Sequence, residues 1–176
     1  MLELGHWSHL SAAAAGEQMR AVAGGEYPFM GDAFEGLEFF ADGEDLAEGG
    51  VEELLRAMAP ALRRHGVELR VEVVRLPTSD DDEYVLNING RRCRVWGPAD
   101  WSGRQAWHSA TVRPLAVVNE LLAECGATAR VFTLYCGGNE GTALLLDPAV
   151  VDAVRLSGLV DPYNVPELPI DGGTHG

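Results

Sequence analysis

Two adjacent residues, Asn89 and Gly90, constrain the fold of this chain most, because they separate two runs of alternating apolar and polar residues. An Asn-Gly pair in that setting is the strongest short-range signal for a β-hairpin with a two-residue turn. The register follows from counting outward from the turn. The predicted pairs are Ile88 with Arg91, Leu86 with Cys93 and Tyr84 with Val95, which places Cys93 on the apolar face.

The segment before the hairpin predicts a helix followed by a strand. Apolar side chains recur at helical spacing over residues 51–62, and Gly66 supplies a C-terminal stop. Pro60 lacks a backbone donor and disfavours helical geometry at the preceding residue, so we expect a kink or a break there. Over residues 67–73 the apolar period becomes two, which predicts a strand with one wet face.

The segment after the hairpin predicts a second unit of helix, strand and strand. Residues 97–110 show no sustained period and are interpreted as a loop. A helix is predicted to begin near Thr111, with Pro114 in its first turn, and to end at Gly126. Alternating or apolar runs on both sides of residues 137–141 (GGNEG) predict a second hairpin. A last helix is expected between an N-cap at Asp147 and a stop at Gly158.

Together these elements predict an α+β fold, in which a mostly antiparallel sheet is covered on one face by helices. Two halves, residues 51–96 and 112–146, share the order helix, strand, strand. We expect one domain over residues 1–176, since this length suits a domain of ordinary size. Within it we distinguish an acidic, aromatic-containing N-terminal part (1–50), an α+β core (51–160) and an extended C-terminal tail (161–176).

Negative charge narrows the classes of partner. The chain has 27 acidic and 13 basic side chains, all of the latter arginine, for a formal net charge of −14. Phosphate backbones repel such a protein, which argues against direct binding to duplex nucleic acid. Between Asp32 and Glu53 nine acidic residues occur without a basic one and are interleaved with phenylalanine and leucine. A cationic surface would relieve the mutual repulsion of these carboxylates.

The first functional hypothesis is therefore a non-enzymatic acidic interaction protein that binds a basic protein partner. Immunity proteins and nuclease inhibitors are examples of this kind, in which negative charge accelerates and orients the encounter. The residues expected to bind the partner are Glu35, Glu38, Asp42, Glu44, Asp45 and Glu48.

The alternative hypothesis is a small-molecule-binding protein or an enzyme. Asn119 lies on the apolar stripe of the second predicted helix, where a buried amide must find hydrogen-bond partners. It either cross-links the core to a nearby backbone or faces a pocket. The natural walls of such a pocket would be Trp96, Trp101, Trp107 and His108.

Three cysteines at wide and unequal spacings argue against a disulfide framework. Cys93 and Cys136 alternate with core residues and are interpreted as buried structural thiols. Either one would become a candidate nucleophile if His65 or His108 lay beside it, because a thiolate needs a base or a positive field to form. Cys125 precedes a helix-ending glycine and is expected to be the most exposed of the three.

No metal or cofactor site is predicted. Glu3, His6 and His9 would spread over nearly two turns of a helix, whereas zinc needs three or four converging ligands. The acidic run at residues 80–83 lacks the alternate ligand spacing of a calcium loop. GGNEG joins two strands and does not open a helix, so it lacks the dipole that phosphate loops exploit.

The first 20 residues have no basic n-region, and no apolar run approaches the roughly 20 residues that span a bilayer. We therefore expect a cytoplasmic protein without membrane association. The sequence leaves the oligomeric state open.

Overall fold

The structure, a computed structural model, describes residue 7 and residues 10–29, 36–79, 81–103 and 105–171. The elements in chain order are α1 (Ala12–Ala23), β1 (Glu38–Phe40), α2 (Gly43–Asp45), a π-helical turn (Leu46–Gly50), α3 (Val51–Arg64), β2 (Val71–Arg75), β3 (Tyr84–Ile88), β4 (Arg91–Trp96), α4 (Pro98–Ser102), α5 (Ala106–Glu124), β5 (Arg130–Leu134), β6 (Thr142–Leu146), α6 (Pro148–Ser157) and a 3-10 turn (Pro162–Asn164).

The predicted α+β fold is confirmed, and its strands form two antiparallel sheets of three strands each. One sheet has the order β2-β3-β4, and the other has the order β1-β6-β5. The main core cluster combines buried side chains of α3, β3, β4 and α5 with one face of β5 and β6. The opposite face of β5 and β6 packs against the apolar stripe of α6. The second sheet is thus covered on both faces.

The predicted hairpin is confirmed through most of its length. Asn89 and Gly90 have positive φ angles of 50° and 84°, as a two-residue turn of type I′ requires. Ile88 faces Arg91 and Leu86 faces Cys93, which is 4% exposed. The predicted partner of Tyr84 is wrong, because a bulge at the start of β3 pairs Tyr84 with Trp96 instead of Val95. The bulge leaves both Val95 and Trp96 buried, with the indole Nε1 of Trp96 donating to Ala47 O at 2.9 Å.

Pro60 does not break α3, which corrects the sequence-based expectation of a break. The helix runs without interruption over Val51–Arg64 and stops at Gly66, whose φ is 87°. Pro60 faces solvent, whereas Met58 and Leu62 on the opposite side are fully buried. Tertiary packing of that apolar face therefore compensates for the backbone hydrogen bond that proline cannot make.

The predicted strand over residues 67–73 begins later than its alternating pattern indicates. β2 starts at Val71, and Val67 is buried in the extended segment before it. Val73 is 41% exposed and so does not continue the buried face. Val73 is exposed because β2 is an edge strand and its pairing with β3 shifts register between Val73 and Arg75.

The interpretation of residues 97–110 as a loop is wrong, since the stretch contains α4 and the start of α5. Pro98 occupies the first helical position of α4, and Asp100 Oδ2 accepts a hydrogen bond from Gly97 N at 2.7 Å. A proline at the first position with an acid in the first turn is a helix-start signal that the missing periodicity obscured.

The second predicted helix is longer than expected at its N-terminus. α5 begins at Ala106 rather than near Thr111, so Pro114 lies inside the helix and not in its first turn. Ala106 and Ala110 are buried against the core, which stabilises the first turns although Pro114 cannot donate to the Ala110 carbonyl.

The second hairpin and the last helix are confirmed. β5 and β6 pair in register from Arg130 with Leu146 onward. Asp147 caps α6 by accepting from Ala149 N at 2.8 Å, and Gly158 ends the helix in the left-handed conformation. Beyond the 3-10 turn the tail is extended, and Glu167 exchanges two backbone hydrogen bonds with Thr133 at the free edge of β5. In the described part of the chain, no helix has the length and apolar character needed to cross a bilayer.

Candidate functional site

The acidic residues predicted to bind a partner lie on one continuous stretch of chain, formed by β1, α2 and the π-helical turn. Glu35 lies outside the described residues. We refer to the other predicted residues together with Phe40 as the acidic surface: Glu38 and Asp42, which are half-buried, and Phe40, Glu44, Asp45 and Glu48, which are exposed.

Phe40 is the aromatic residue of the acidic surface, and it is 69% exposed. Its neighbours Leu37 and Phe39 pack against the main core cluster. Successive side chains of a strand point to opposite faces, so Phe40 cannot join Phe39 in the core. Aromatic side chains are enriched in the buried centres of protein interfaces, which makes Phe40 a candidate anchor for a partner.

Two of the predicted acidic residues have surroundings that differ from those of the others. Asp42 caps α2, since its Oδ1 accepts hydrogen bonds from Glu44 N at 2.8 Å and from Asp45 N at 3.1 Å. Partial burial raises the pKa of Glu38 above its usual value. Asp42 therefore stabilises the local backbone, and Glu38 takes up a proton at a higher pH than an ordinary glutamate.

Glu44, Asp45 and Glu48 form no ion pair with a described arginine or histidine. The ion pairs of the described chain involve other carboxylates, such as those of Glu52, Glu83 and Asp100. Glu44 Oε2 accepts one neutral hydrogen bond, from Asn139 Nδ2 at 3.2 Å. The three carboxylates thus project an uncompensated negative potential toward solvent.

The tryptophans of the alternative hypothesis are packing residues. Trp101 stacks edge-to-face on Trp96, with ring centroids 5.3 Å apart. Trp101 and Trp107 are partly buried against the main core cluster. The indole Nε1 of Trp101 is buried and has no hydrogen-bond acceptor among the described residues. This arrangement matches a hydrophobic plug at the N-terminal end of α5.

Asn119 cross-links α5 to β5, one of the two roles predicted for it. Its Nδ2 donates to Val131 O at 2.8 Å, and its Oδ1 accepts from Val131 N at 2.7 Å. The side chain therefore satisfies the outward-facing backbone groups of β5 as a neighbouring strand would. Asn119 lines a cavity of about 760 Å³, whereas His108, three turns away on α5, lines a different cavity of about 520 Å³.

Arginine side chains line the larger cavity, and the one with little exposure, Arg113, is paired with carboxylates. Arg113 binds both oxygens of Asp100, at 2.8 and 2.9 Å, and also Asp171 Oδ2 at 3.1 Å. Burial acts to raise the pKa of Asp100, but hydrogen bonds from Arg113, Gly97 and Ser109 outweigh it and hold that pKa below its usual range. The arginines that line this cavity are Arg92, Arg94, Arg113 and Arg130.

The three thiols have different environments. Burial raises the pKa of Cys93 to about 12, so this thiol is protonated and unreactive at neutral pH. Cys125 is exposed, as predicted, and donates to Gly66 O at 3.3 Å. Cys136 is half-buried, and its Sγ lies 3.5 Å from Nδ1 of His108. The interpretation of Cys136 as a core residue is therefore wrong, because β5 ends two residues before it.

A strained, glycine-rich loop holds Cys136 beside His108. Tyr135 has a φ of 53°, in the left-handed region that non-glycine residues rarely adopt, and Gly137 has a φ of 76°. A Cβ on Gly137 would lie 2.9 Å from the Cα of His108, and a Cβ on Gly43 would lie 2.8 Å from the carbonyl carbon of Gly137. The backbones of α2, this loop and α5 are thus in direct contact, which places Cys136 next to His108.

In the described ranges, no group of three or more His, Cys, Asp or Glu side chains could hold a metal ion. Among the described residues, Cys136 is the cysteine whose Sγ lies beside a histidine ring, that of His108. No protein-family model matches the sequence, and no curated protein or solved structure matches the chain.

Proposed function

We propose that this chain is a non-enzymatic acidic interaction protein that binds a basic protein partner, in the manner of an immunity or inhibitor protein. The observation that carries the proposal is that one stretch of chain exposes both the ring of Phe40 and the carboxylates of Glu44, Asp45 and Glu48, which form no ion pair with a described residue. The partner would supply arginine or lysine side chains opposite these carboxylates and an apolar pocket for the ring.

The two components have separate roles in such an interface. Burial of an exposed aromatic side chain supplies affinity, since roughly 25 cal/mol is gained for each Å² of apolar surface removed from water. The carboxylates steer the encounter, because complementary charge raises the association rate and makes it dependent on ionic strength. Neutralising the carboxylates should therefore change mainly the association rate, whereas truncating Phe40 should change mainly the dissociation rate.

The alternative, a small-molecule pocket formed by the Trp-rich segment and Asn119, has less support. Both polar groups of the Asn119 amide are already bound to Val131. Trp101 and Trp107 pack against the core cluster, and His108 lines a different cavity from Asn119. These residues would have to separate from their present contacts before they could share a ligand.

The proposal is tested by isolating a partner with the tagged chain from its native cell and then measuring its binding kinetics. The test variant carries Glu44→Gln, Asp45→Asn and Glu48→Gln. The control variant carries Glu17→Gln, Glu26→Gln and Glu72→Gln, three exposed acids outside the acidic surface with the same change in charge.

We expect a basic partner whose association with the test variant is at least about 10-fold slower at low salt and less dependent on salt. The association rate of the control variant should fall much less. A partner without excess positive charge, or equal rates for the two variants, would contradict the proposal.

A further inference from the structure

We propose that Cys136 is a site of S-acylation, at which His108 acts as the base and a small-molecule acyl thioester is the donor. This modification site lies outside the acidic surface and does not depend on the binding of a basic partner. Its support is the placement of a thiol, an imidazole and an apolar cavity within one part of the fold.

The first support is the geometry of the pair. The 3.5 Å between Sγ and Nδ1 is within reach of a sulfur hydrogen bond, and a nucleophile beside a base is the arrangement that activates a thiol. The close approach of the Gly137 backbone to that of residue 108 keeps the loop next to α5, so the two side chains start from neighbouring backbones. His108 is exposed and Cys136 is half-buried, which leaves the sulfur open to a small reagent.

The second support is the cavity of about 520 Å³ that the pair lines. Six of its lining residues are apolar, and Asp152, Arg155 and Glu167 supply charged groups. Burial raises the pKa of the Cys136 thiol, against an opposite effect of the Thr133 and Thr111 hydroxyls. The resting thiol is therefore protonated and needs a base for attack. The apolar walls are Val112, Phe132, Pro148, Leu168, Pro169 and Ile170.

Acyl transfer needs no reactant besides the thiol, the imidazole and the acyl thioester. Sγ of Cys136 attacks the carbonyl carbon of the thioester while its proton moves to Nδ1 of His108. The new carbon–sulfur bond forms, the original carbon–sulfur bond breaks, and the departing thiolate takes the proton back from the imidazolium. The products are acyl-Cys136 and a free thiol, and the acyl chain would lie against the apolar walls of the cavity.

Other charged groups surround the pair and belong in any account of its pH dependence. Asp152 and Arg155 face the cavity from α6 and bind each other at 2.7 Å. Glu167 faces it from the C-terminal segment. Glu44 and Asp45 lie in α2, which contacts the cysteine loop through Gly43. A pH profile of acyl transfer therefore reports on these groups together with the Cys136–His108 pair.

The test uses the full chain with Cys125→Ser, which removes the exposed competing thiol. The probes are the octanoyl and acetyl thioesters of N-acetylcysteamine, and the adduct is located by intact mass and peptide mapping. His108→Gln is the test variant, because the atoms of residue 108 that approach Gly137 most closely are backbone atoms and Cβ, which glutamine retains, so the fold should be kept. Circular dichroism and thermal unfolding check that it is.

We expect octanoyl transfer to Cys136 at a rate that His108→Gln lowers at least about 10-fold at pH 7, a threshold below the roughly 100-fold or more that a general base usually contributes. The parent rate should level off once the imidazole is neutral, whereas the rate of the variant should keep rising with pH. Octanoyl should react faster than acetyl.

Equal rates and pH profiles for parent and variant, no adduct on Cys136, or equal rates for the two acyl chains would overturn the proposal. The variant with neutralised Glu44, Asp45 and Glu48 should be acylated normally. Failure of the docking proposal and failure of this one can therefore be told apart.

Discussion

Replacement of Asn119 by Ala provides the sharpest test of how α5 is joined to the second sheet. The asparagine amide binds Val131 N and Val131 O, at 2.7 and 2.8 Å, and Val131 is fully buried. Alanine leaves both backbone groups without a partner at the outer edge of β5. The second sheet would then keep its β5–β6 pairing but lose its link to α5.

The magnitude follows from the fate of those two groups. A buried polar group left unsatisfied costs about 1 to 3 kcal/mol, so two groups set a range of about 2 to 6 kcal/mol. Asn119 also lines an open cavity, from which water can reach Val131 and recover part of this loss. We therefore expect the free energy of unfolding to fall by about 2 to 4 kcal/mol. For a domain of this size that corresponds to a decrease in Tm of several degrees.

The sign of the change is as informative as its size. In an exposed helical position Asn→Ala stabilises a helix by roughly 0.5 kcal/mol, because alanine is the better helix former. Urea denaturation of the parent and of Asn119→Ala measures the difference, and Ala123→Asn, an exposed position of α5, gives the reverse change in propensity without the cross-link. An Asn119→Ala variant as stable as the parent, or more stable, would refute the cross-link as a source of stability.

Further predictions concern the loop and the buried ion pair. Gly137→Ala should lower the free energy of unfolding by about 2 kcal/mol more than Gly90→Ala. Both glycines have a positive φ, but only at Gly137 would the added Cβ meet a neighbour, the His108 backbone. Equal losses in urea denaturation would contradict this. Asp100→Asn should destabilise the protein at pH 7 by about 1 to 3 kcal/mol, because it leaves Arg113 without its bidentate partner. Since the pKa of Asp100 is lowered in the folded state, its contribution is present above the unfolded value of about 3.9 and is lost as the pH falls through the folded value. The variant should therefore lose less stability than the parent between pH 5 and pH 2, as measured by thermal unfolding.

Local signals account for the elements that the sequence predicted well. The turn at Asn89 and Gly90 depends on adjacent residues. Each cap of α6, Asp147 at its start and Gly158 at its end, depends on residues within one or two turns of that cap. The bulge that pairs Tyr84 with Trp96 does not, because it serves the distant contact between Trp96 and Ala47 O. A register counted from the turn cannot include such a tertiary preference.

The same distinction explains the candidate sites. The position of Asn119 on an apolar stripe predicted a cross-link, but Val131 as its partner required the placement of α5 along β5. The approach of Cys136 to His108 joins residues 28 positions apart, so no spacing rule reveals it. The observable signal was the pair of glycines after Cys136, which a hairpin connection alone explained equally well.

That glycine pair also links the two proposed sites. Gly138 O accepts from Gly43 N at 3.0 Å, and Asn139 donates to Glu44, so the loop that carries Cys136 is bonded to the start of the acidic surface. Because Gly43 and Gly137 meet through their backbones, neutralising the side chain of Glu44 leaves that contact in place. A partner bound to Glu44 would nevertheless lie next to the cysteine loop. Acyl transfer to Cys136 in the presence of a saturating basic partner then measures whether the two surfaces act independently. A partner that shifts the loop changes the distance from Sγ to Nδ1 and with it the rate, whereas a partner that leaves the loop in place does not.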